Sequence, residues 1–378
     1  MESNINGKGK TMGLRAGIVG CGGISRSHAE AYANLDGVTL TALCDVDRDA
    51  LDTRGDEYGV SERYSDYEEM LQSDLDVVSV CVHAPLHAPV TLAAAKAGIN
   101  VLCEKPLSID LAGADRMIVA CSEAGVRLAV SHQYRFTPIF RQAKEWIESG
   151  RIGELRSIRE VGKGREAGFE LMEVGVHHFD EMDFFMDGIE WISAQITYQG
   201  HEVGVEDIMP SRELCKTDRR DNGMVAGDTM MIHIKGTGPT YGVMELYRRE
   251  QRQGWMEGPH ILASKGQLMI KPNPQGGGDE MWYCPFDVSY PAHTPKWEQV
   301  EFDQKIFMIG DKPWPGRHSI WSVRDMIDSI RENRQPELGG GNALKSLECV
   351  AAVYESHFTK SRVHLPLGDR RHPLVKRL

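Results

Sequence analysis

The chain has 378 residues, 41% hydrophobic and 26% charged, with a formal net charge of −12 at pH 7. That length supports two domains with substantial cores, and the composition is that of a soluble globular protein. The acidic balance excludes non-specific binding to nucleic acid or to an anionic membrane, but leaves room for phosphates cradled by backbone N–H groups. Residues 1–12 are polar and glycine-rich and read as a disordered leader; they lack the apolar core of a signal peptide. No apolar run has the length needed to span a bilayer. Eight cysteines occur without a Cys-x-x-Cys pair, which points to reduced, buried thiols, a cytoplasmic setting and no structural zinc.

From Leu14 the pattern is that of successive βαβ units. Strands are predicted at 14–20, 38–44, 76–82, 99–103 and 127–131, with helices near 24–34, 47–58, 87–97 and 109–124. The strands are nearly continuous apolar runs, as expected when helices cover both faces of a parallel sheet. This gives an α/β fold class, a doubly wound parallel (Rossmann) sheet over 13–135. Its first turn, Gly20-Cys-Gly22-Gly23-Ile24, suits a dinucleotide: the glycines let the backbone approach a pyrophosphate that then faces the next helix N-terminus. Ser25 stands where the third glycine of the fingerprint is expected. Asp45 ends the second strand, where an acidic residue holds the adenosine ribose hydroxyls and repels a 2′-phosphate. NAD is therefore favoured, with NADP kept as an alternative by the nearby Arg48. His83, Glu104 and Lys105 belong to strand ends that converge on the same crevice.

After about residue 135 the periodicity changes. A helix over 137–149 precedes a strand at 154–161 and a helix at 171–187. Strand-like segments follow at 191–201, 227–235, 240–247, 259–264 and 267–271. Residues 136–378 thus read as an α+β domain on a mostly antiparallel open sheet, serving substrate binding and oligomerisation. Residues 272–300, rich in Pro, Gly and aromatics, read as a long excursion. Helices at 317–332 and 342–359 close the chain.

Two constellations carry chemistry. Lys105 ends a parallel strand and points toward the cofactor crevice, where it would orient a hydroxyl or stabilise alkoxide charge; Glu104 is its expected ion partner. In the helix at 171–187, Glu173, His177 and either Asp180 or Glu181 share one face at helical spacing. A carboxylate one turn before an imidazole would fix its tautomer and make His177 a general base. Glu173, His177 and His178 are also metal-type residues, but adjacent histidines on a helix diverge, so no metal is assigned. A plain amphipathic helix with a solvated polar face is the remaining reading. Lys163 and Arg165, just before this helix, would reach an anionic or hydroxyl-rich substrate or lie in a solvated loop. Arg219-Arg220 and Arg248-Arg249 read as solvated or interfacial. Trp255, Trp282 and Tyr283 read as domain-edge or oligomer packing, with stacking on a sugar ring as the alternative.

On these residues the chain resembles the Gfo/Idh/MocA family of nicotinamide-dependent oxidoreductases. The matching pieces are GIVGCGGIS with His28, Asp45, HAPVTLAAAKAGINVLCEKPL, Tyr134-Arg135-Phe136, the Glu173–His177 helix and the closing ALKSLECVAAVYESHFTKSRVHLPL. The resemblance implies that Lys105, Glu173 and His177 face the nicotinamide, that His87 lies near the crevice and His178 beside the substrate, and that the protein forms a homodimer or homotetramer. Glu173 departs from the family's usual aspartate, and Val82-His83-Ala84 from its usual Thr-Pro-Asn. The expected activity is NAD-dependent hydride transfer at a carbinol carbon of a sugar, sugar derivative or polyol. Two alternatives share the features: an NAD-dependent glycosidase with no net redox change, and a non-catalytic NAD(P)-binding regulator.

Overall fold

The computed structural model describes residues 13–216, 220–248, 258–272, 278–286, 296–301 and 318–378, with the backbone alone at 308–309 and 312–313. The first sheet holds β1 (Leu14–Val19), β2 (Val38–Cys44), β3 (Glu62–Tyr64), β4 (Val77–Val80), β5 (Asn100–Cys103) and β6 (Leu128–Val130) in the order β3-β2-β1-β4-β5-β6. All its pairings are parallel. Between the strands run α1 (Ser25–Asn34), α2 (Arg48–Tyr58), α3 (His87–Lys96) and α4 (Leu111–Glu123). The strand order reverses between β1 and β4, so a crevice opens there beyond the strands' carboxyl ends. The short, polar β3 was not visible in the periodicity, because three half-buried residues carry no alternation to read.

The chain then forms α5 (Pro138–Glu148), β7 (Leu155–Val161) and α6 (Val176–Met186), followed by β8 (Ile189–Tyr198), β9 (Thr229–Gly236), β10 (Tyr241–Tyr247), β11 (His260–Ala263), β12 (Gly266–Lys271) and β13 (Glu280–Pro285). These strands make a second sheet in the order β13-β12-β11-β7-β10-β9-β8, with two-residue strands at Glu298–Gln299 and Val363–His364 on its edges. Only β7 and β10 pair in parallel; the other pairings within it are antiparallel. Along β9 buried and exposed residues alternate strictly over the first six positions, the pattern of a sheet with one covered face. Helices α6 and α8 (Gly340–Thr359) supply that cover.

Two features depart from the sequence reading. The excursion at 272–300 contains β13, whose Met281 and Cys284 are buried although glycines and prolines flank it. And α7 (Ser319–Arg331), expected with the second domain, packs on α1 of the first sheet: Ile320, Val323, Met326 and Ile327 share a core with Ala29 and Tyr32. Among the described residues, no helix is long and apolar enough to cross a membrane. All eight cysteines are buried and free.

Candidate functional site

The glycine turn is shaped by close approach on one side and open space on the other. Gly20 has φ of +95°, and a Cβ there would sit 2.5 Å from the Cys81 carbonyl oxygen. Gly22 and Gly23 face nothing within 4 Å of a built Cβ, which leaves their backbone accessible at the start of α1. Ser25 Oγ donates to the Gly22 carbonyl at 2.6 Å, and the buried Arg54 from α2 lies 3.3 Å from both that hydroxyl and that carbonyl. Ser25 thus closes the turn by a hydrogen bond where a glycine would only make room. At the end of β2, Asp45 accepts the Cys21 N–H at 2.6 Å and the Asp47 N–H at 2.8 Å. An open glycine cradle at a helix N-terminus, with a carboxylate at the next strand end, fits a dinucleotide with an unphosphorylated ribose.

Behind this crevice the polar residues serve the scaffold. Glu104, expected to pair with Lys105, turns into the core: its Oε1 is 2.8 Å from His28 Nε2, and His28 Nδ1 is 3.0 Å from Ser79 Oγ, which also contacts the Tyr32 hydroxyl. Burial pushes the Glu104 carboxyl up, but the hydrogen bond and charge of His28 and the charge of Lys105 outweigh it and hold it below the usual carboxylate range. His87 is also withdrawn from the cofactor role expected of it. It is buried, with Nδ1 2.7 Å from the Pro106 carbonyl and Nε2 3.1 Å from that of Val82, so it ties together the loops after β4 and β5. His83 is exposed at the end of β4.

Lys105, Glu173, His177, Lys163 and Arg165 do converge. With Ile24 of the glycine turn, Tyr134 and Arg220, they line one cavity of about 260 Å³. The Lys105 ammonium donates to Glu173 Oε2 at 3.0 Å and to the Glu173 carbonyl at 3.1 Å. Arg220, expected to be solvated, bonds the same carboxylate oxygen. Burial raises the Glu173 carboxyl, yet Lys105 and Arg220 more than reverse this and hold it ionised.

Glu173 is therefore not the tautomer-fixing partner of His177. The four-residue spacing assumed a regular α-helix, but α6 is preceded by a helical turn at Ala167–Glu170 and a π-helical turn at Leu171–Gly175. The wider π turn changes the angular offset between the two residues, and Glu173 goes to Lys105. The other carboxylates assigned to that face are engaged elsewhere. Asp180 takes a forked pair from Arg135, with Nε 2.8 Å from Oδ2, and Glu181 joins His178. The expectation that His178 touches substrate fails for the same angular reason. Its Nδ1 lies 3.2 Å from Glu160 of β7 and 3.8 Å from Glu181, in a fully buried cluster away from the cavity lining.

The surroundings of His177 are cationic and aromatic. Its ring stands edge-on to His132 at 5.4 Å and to Tyr134 at 5.0 Å, and Tyr134 in turn meets His318 at 5.6 Å. Burial first, then the charges of Lys105, His132, Lys163 and His178, push its pKa well below the usual imidazole value. His132 is pushed down to about 3, chiefly by burial and by Arg135. The sequence reading missed His132 and His318. His132 follows β6 at the carboxyl end of a parallel strand, the same signal that singled out Lys105.

The remaining candidates are peripheral. Tyr283 stands edge-on to Trp146 at 5.6 Å, and the Trp282 indole donates to Glu280 at 2.9 Å; both belong to packing of the sheet edge. Arg248 is exposed, 3.6 Å from Glu166. Arg219, Arg249 and Trp255 lie outside the described residues.

Comparison with known proteins places this geometry. Residues 14–132 match a family model described as an oxidoreductase family with an NAD-binding Rossmann fold. The myo-inositol 2-dehydrogenase of Thermotoga maritima is 33% identical over 266 residues, covering 68% of this chain and 74% of that enzyme.

The chain belongs to the Gfo/Idh/MocA family of NAD-binding oxidoreductases.

Within the family, D-apiose dehydrogenase of Paraburkholderia graminis is 30% identical over 208 residues, 52% of this chain and 56% of that enzyme. The match thus spans little more than half the apiose enzyme's length. Among solved structures, levoglucosan dehydrogenase in complex with NADH and levoglucosan superposes with a TM-score of 0.73 at 19% identity, over 94% of this chain and all of that one. The aldose–aldose oxidoreductase of Caulobacter crescentus gives 0.72 at 20% identity over 93% and 100%. At such identities the superpositions establish the shared Gfo/Idh/MocA fold.

Proposed function

We propose that the chain oxidises a carbinol carbon of a sugar, sugar derivative or polyol with NAD. The observation that carries this reading is that Ile24 of the glycine turn, Lys105 and His177 line one cavity. When bound, NAD supplies a hydride acceptor. His177, held neutral by burial and neighbouring cations, accepts the hydroxyl proton as the carbonyl forms. The Lys105 ammonium, anchored by Glu173, donates to the substrate oxygen and stabilises its developing negative charge. Asp45, at the end of β2, is placed to accept ribose hydroxyls and to disfavour NADP.

Residues 13–135 with α7 would form the cofactor-binding unit, and the second sheet the substrate-binding unit. The exposed face of that sheet carries Met231, Tyr241 and Leu262, which suits coverage by a second copy in a homodimer or homotetramer. Eight buried free thiols accord with a reducing, cytoplasmic setting. The test is incubation with NAD or NADP and a panel of sugars, polyols and glycosides, following reduced nicotinamide and released aglycone together. Stoichiometric NADH, faster than NADPH, is expected. Aglycone release without net NADH overturns the dehydrogenase reading in favour of a redox-neutral glycosidase, and no reaction from any compound favours a regulator.

A further inference from the structure

The cavity has the opposite sign from the chain around it. The protein carries a net charge of −12, yet the described residues lining the cavity include the cations Lys105, Lys163, Arg165 and Arg220 against the carboxylates Glu170 and Glu173. Glu173 is shared by Lys105 and Arg220. Glu170 is turned toward backbone: its Oε2 accepts the Gly164 N–H at 3.3 Å, and a Cβ on Gly162 would strike that oxygen. It therefore pins the loop that presents Lys163 and Arg165, on either side of Gly164 with φ of +89°. The two arginines come from distant parts of the chain and meet over one ring, with Cζ atoms 5.7 Å and 5.4 Å from the Phe169 centroid. The ring's negative face helps hold two guanidinium groups near one another. Guanidinium groups gathered in a partly buried site match a carboxylate or phosphate by paired N–H···O bonds, which a neutral sugar cannot reciprocate with charge.

We propose that the substrate is a sugar or polyol bearing an anionic group, recognised by Arg165, Arg220 and Lys163 beside the carbinol held by Lys105 and His177. This rests on the dehydrogenase reading above and narrows its substrate class. The anion would offset the repulsion among the cations and orient the chain or ring so that one carbinol carbon reaches the cofactor. Arg220 would couple recognition to chemistry, because it shares Glu173 with Lys105.

The experiment compares three arms on the NAD-loaded protein: uronates and aldonates, sugar phosphates, and neutral sugars and polyols of the same skeleton. The expected result is a kcat/KM at least about 100-fold higher for one anionic arm, and the better arm identifies carboxylate or phosphate as the anion. Arg165→Gln should raise KM for that compound about tenfold or more, with little change in kcat. Should that variant not fold, the wild type still answers: KM for the anionic compound should rise with ionic strength while kcat stays level. Neutral compounds turned over as well as the anionic ones overturn the proposal and leave the dehydrogenase reading standing. If no arm reduces NAD, the dehydrogenase reading fails first. Calorimetry on the NAD-loaded protein then judges the charge argument separately: selective binding of an anionic arm sustains it, and equal or absent binding of that arm sinks it.

Discussion

The two walls of the cavity are built differently. On the first-sheet side the chain offers backbone: an open glycine turn, strand ends and the start of α1, with Glu104, His28 and His87 buried behind them as supports. On the α6 side it offers charged side chains, and most are held by partners far away in sequence: Glu173 by Lys105 and Arg220, Asp180 by Arg135, Glu181 and His178 with Glu160. A backbone wall is specified by local sequence, because glycine conformations and strand–helix alternation are local properties. A wall of paired charges depends on which distant side chain arrives first.

The sharpest way to break this contrast is at the one residue that bridges the walls. Lys105→Met should lower kcat by about 100- to 1,000-fold, the scale of losing one donor to a developing oxyanion. NAD affinity, measured by fluorescence titration, should stay near wild type, because the glycine turn is untouched. His177→Asn should cost about 100- to 10,000-fold in kcat, again with NAD affinity preserved. A comparable loss of NAD binding in both variants would mean that the two walls do not divide cofactor and chemistry as drawn here.

Next in size is the anchor. Glu173→Gln removes the carboxylate that Lys105 and Arg220 share, leaving two cations facing each other in a nearly buried site. Breaking such a pair costs about 3–5 kcal/mol in stability when burial is complete, and less here because Arg220 is 44% exposed. A kcat loss of about tenfold or more should accompany a lowered melting temperature. Glu173→Asp, the residue type usual in the family, should recover part of both. Recovery of stability without activity would show that the longer side chain is needed to set the Lys105 position.

This difference between the walls also decides how much could be read in advance. The parallel sheet, the glycine turn, Asp45 and the strand-end placement of Lys105 followed from apolar periodicity and glycine spacing. The convergence of Lys105 with Glu173 and His177 was legible through family resemblance together with helical spacing. What stayed hidden was set by geometry that spacing does not encode. A π turn shifted Glu173 relative to His177, Glu160 on a distant strand drew His178 inward, and Arg220 crossed to Glu173 from a loop that read as solvated. β13 escaped for another reason: its flanking glycines and prolines outweighed a short alternation within it.

The pH behaviour of the His177 environment gives a subtler test. Because burial and nearby cations hold its pKa well below the usual imidazole value, His177 stays neutral through the neutral range and protonates only in acid. The acid limb of the kcat profile for alcohol oxidation should therefore fall below the usual histidine range. Lys163 is one of the cations that depress His177, so Lys163→Gln should raise the His177 pKa and move that limb upward. A limb that moves down, or stays in place, removes His177 as the group being titrated.

The smallest expected effect lies behind the α6 wall, in the cluster of Glu160, His178 and Glu181. Burial and the neighbouring Glu181 raise the Glu160 carboxyl well above its usual value. A carboxyl whose folded pKa lies above its unfolded one is neutral in the native state over that interval. Its contribution to stability is complete below the unfolded value and is lost progressively as pH rises through the folded value. Glu160→Gln keeps a neutral group of similar shape and has no proton to lose. Its melting temperature should match wild type in mild acid and exceed it by about 2 °C or more at alkaline pH, measured by thermal melts across pH. Because Glu160 does not line the cavity, kcat should change far less than in Lys105→Met. A variant less stable than wild type at every pH would instead mean that Glu160 is ionised in the native state and held by His178, making the cluster a charge pair like Glu173 and Lys105 on the cavity side.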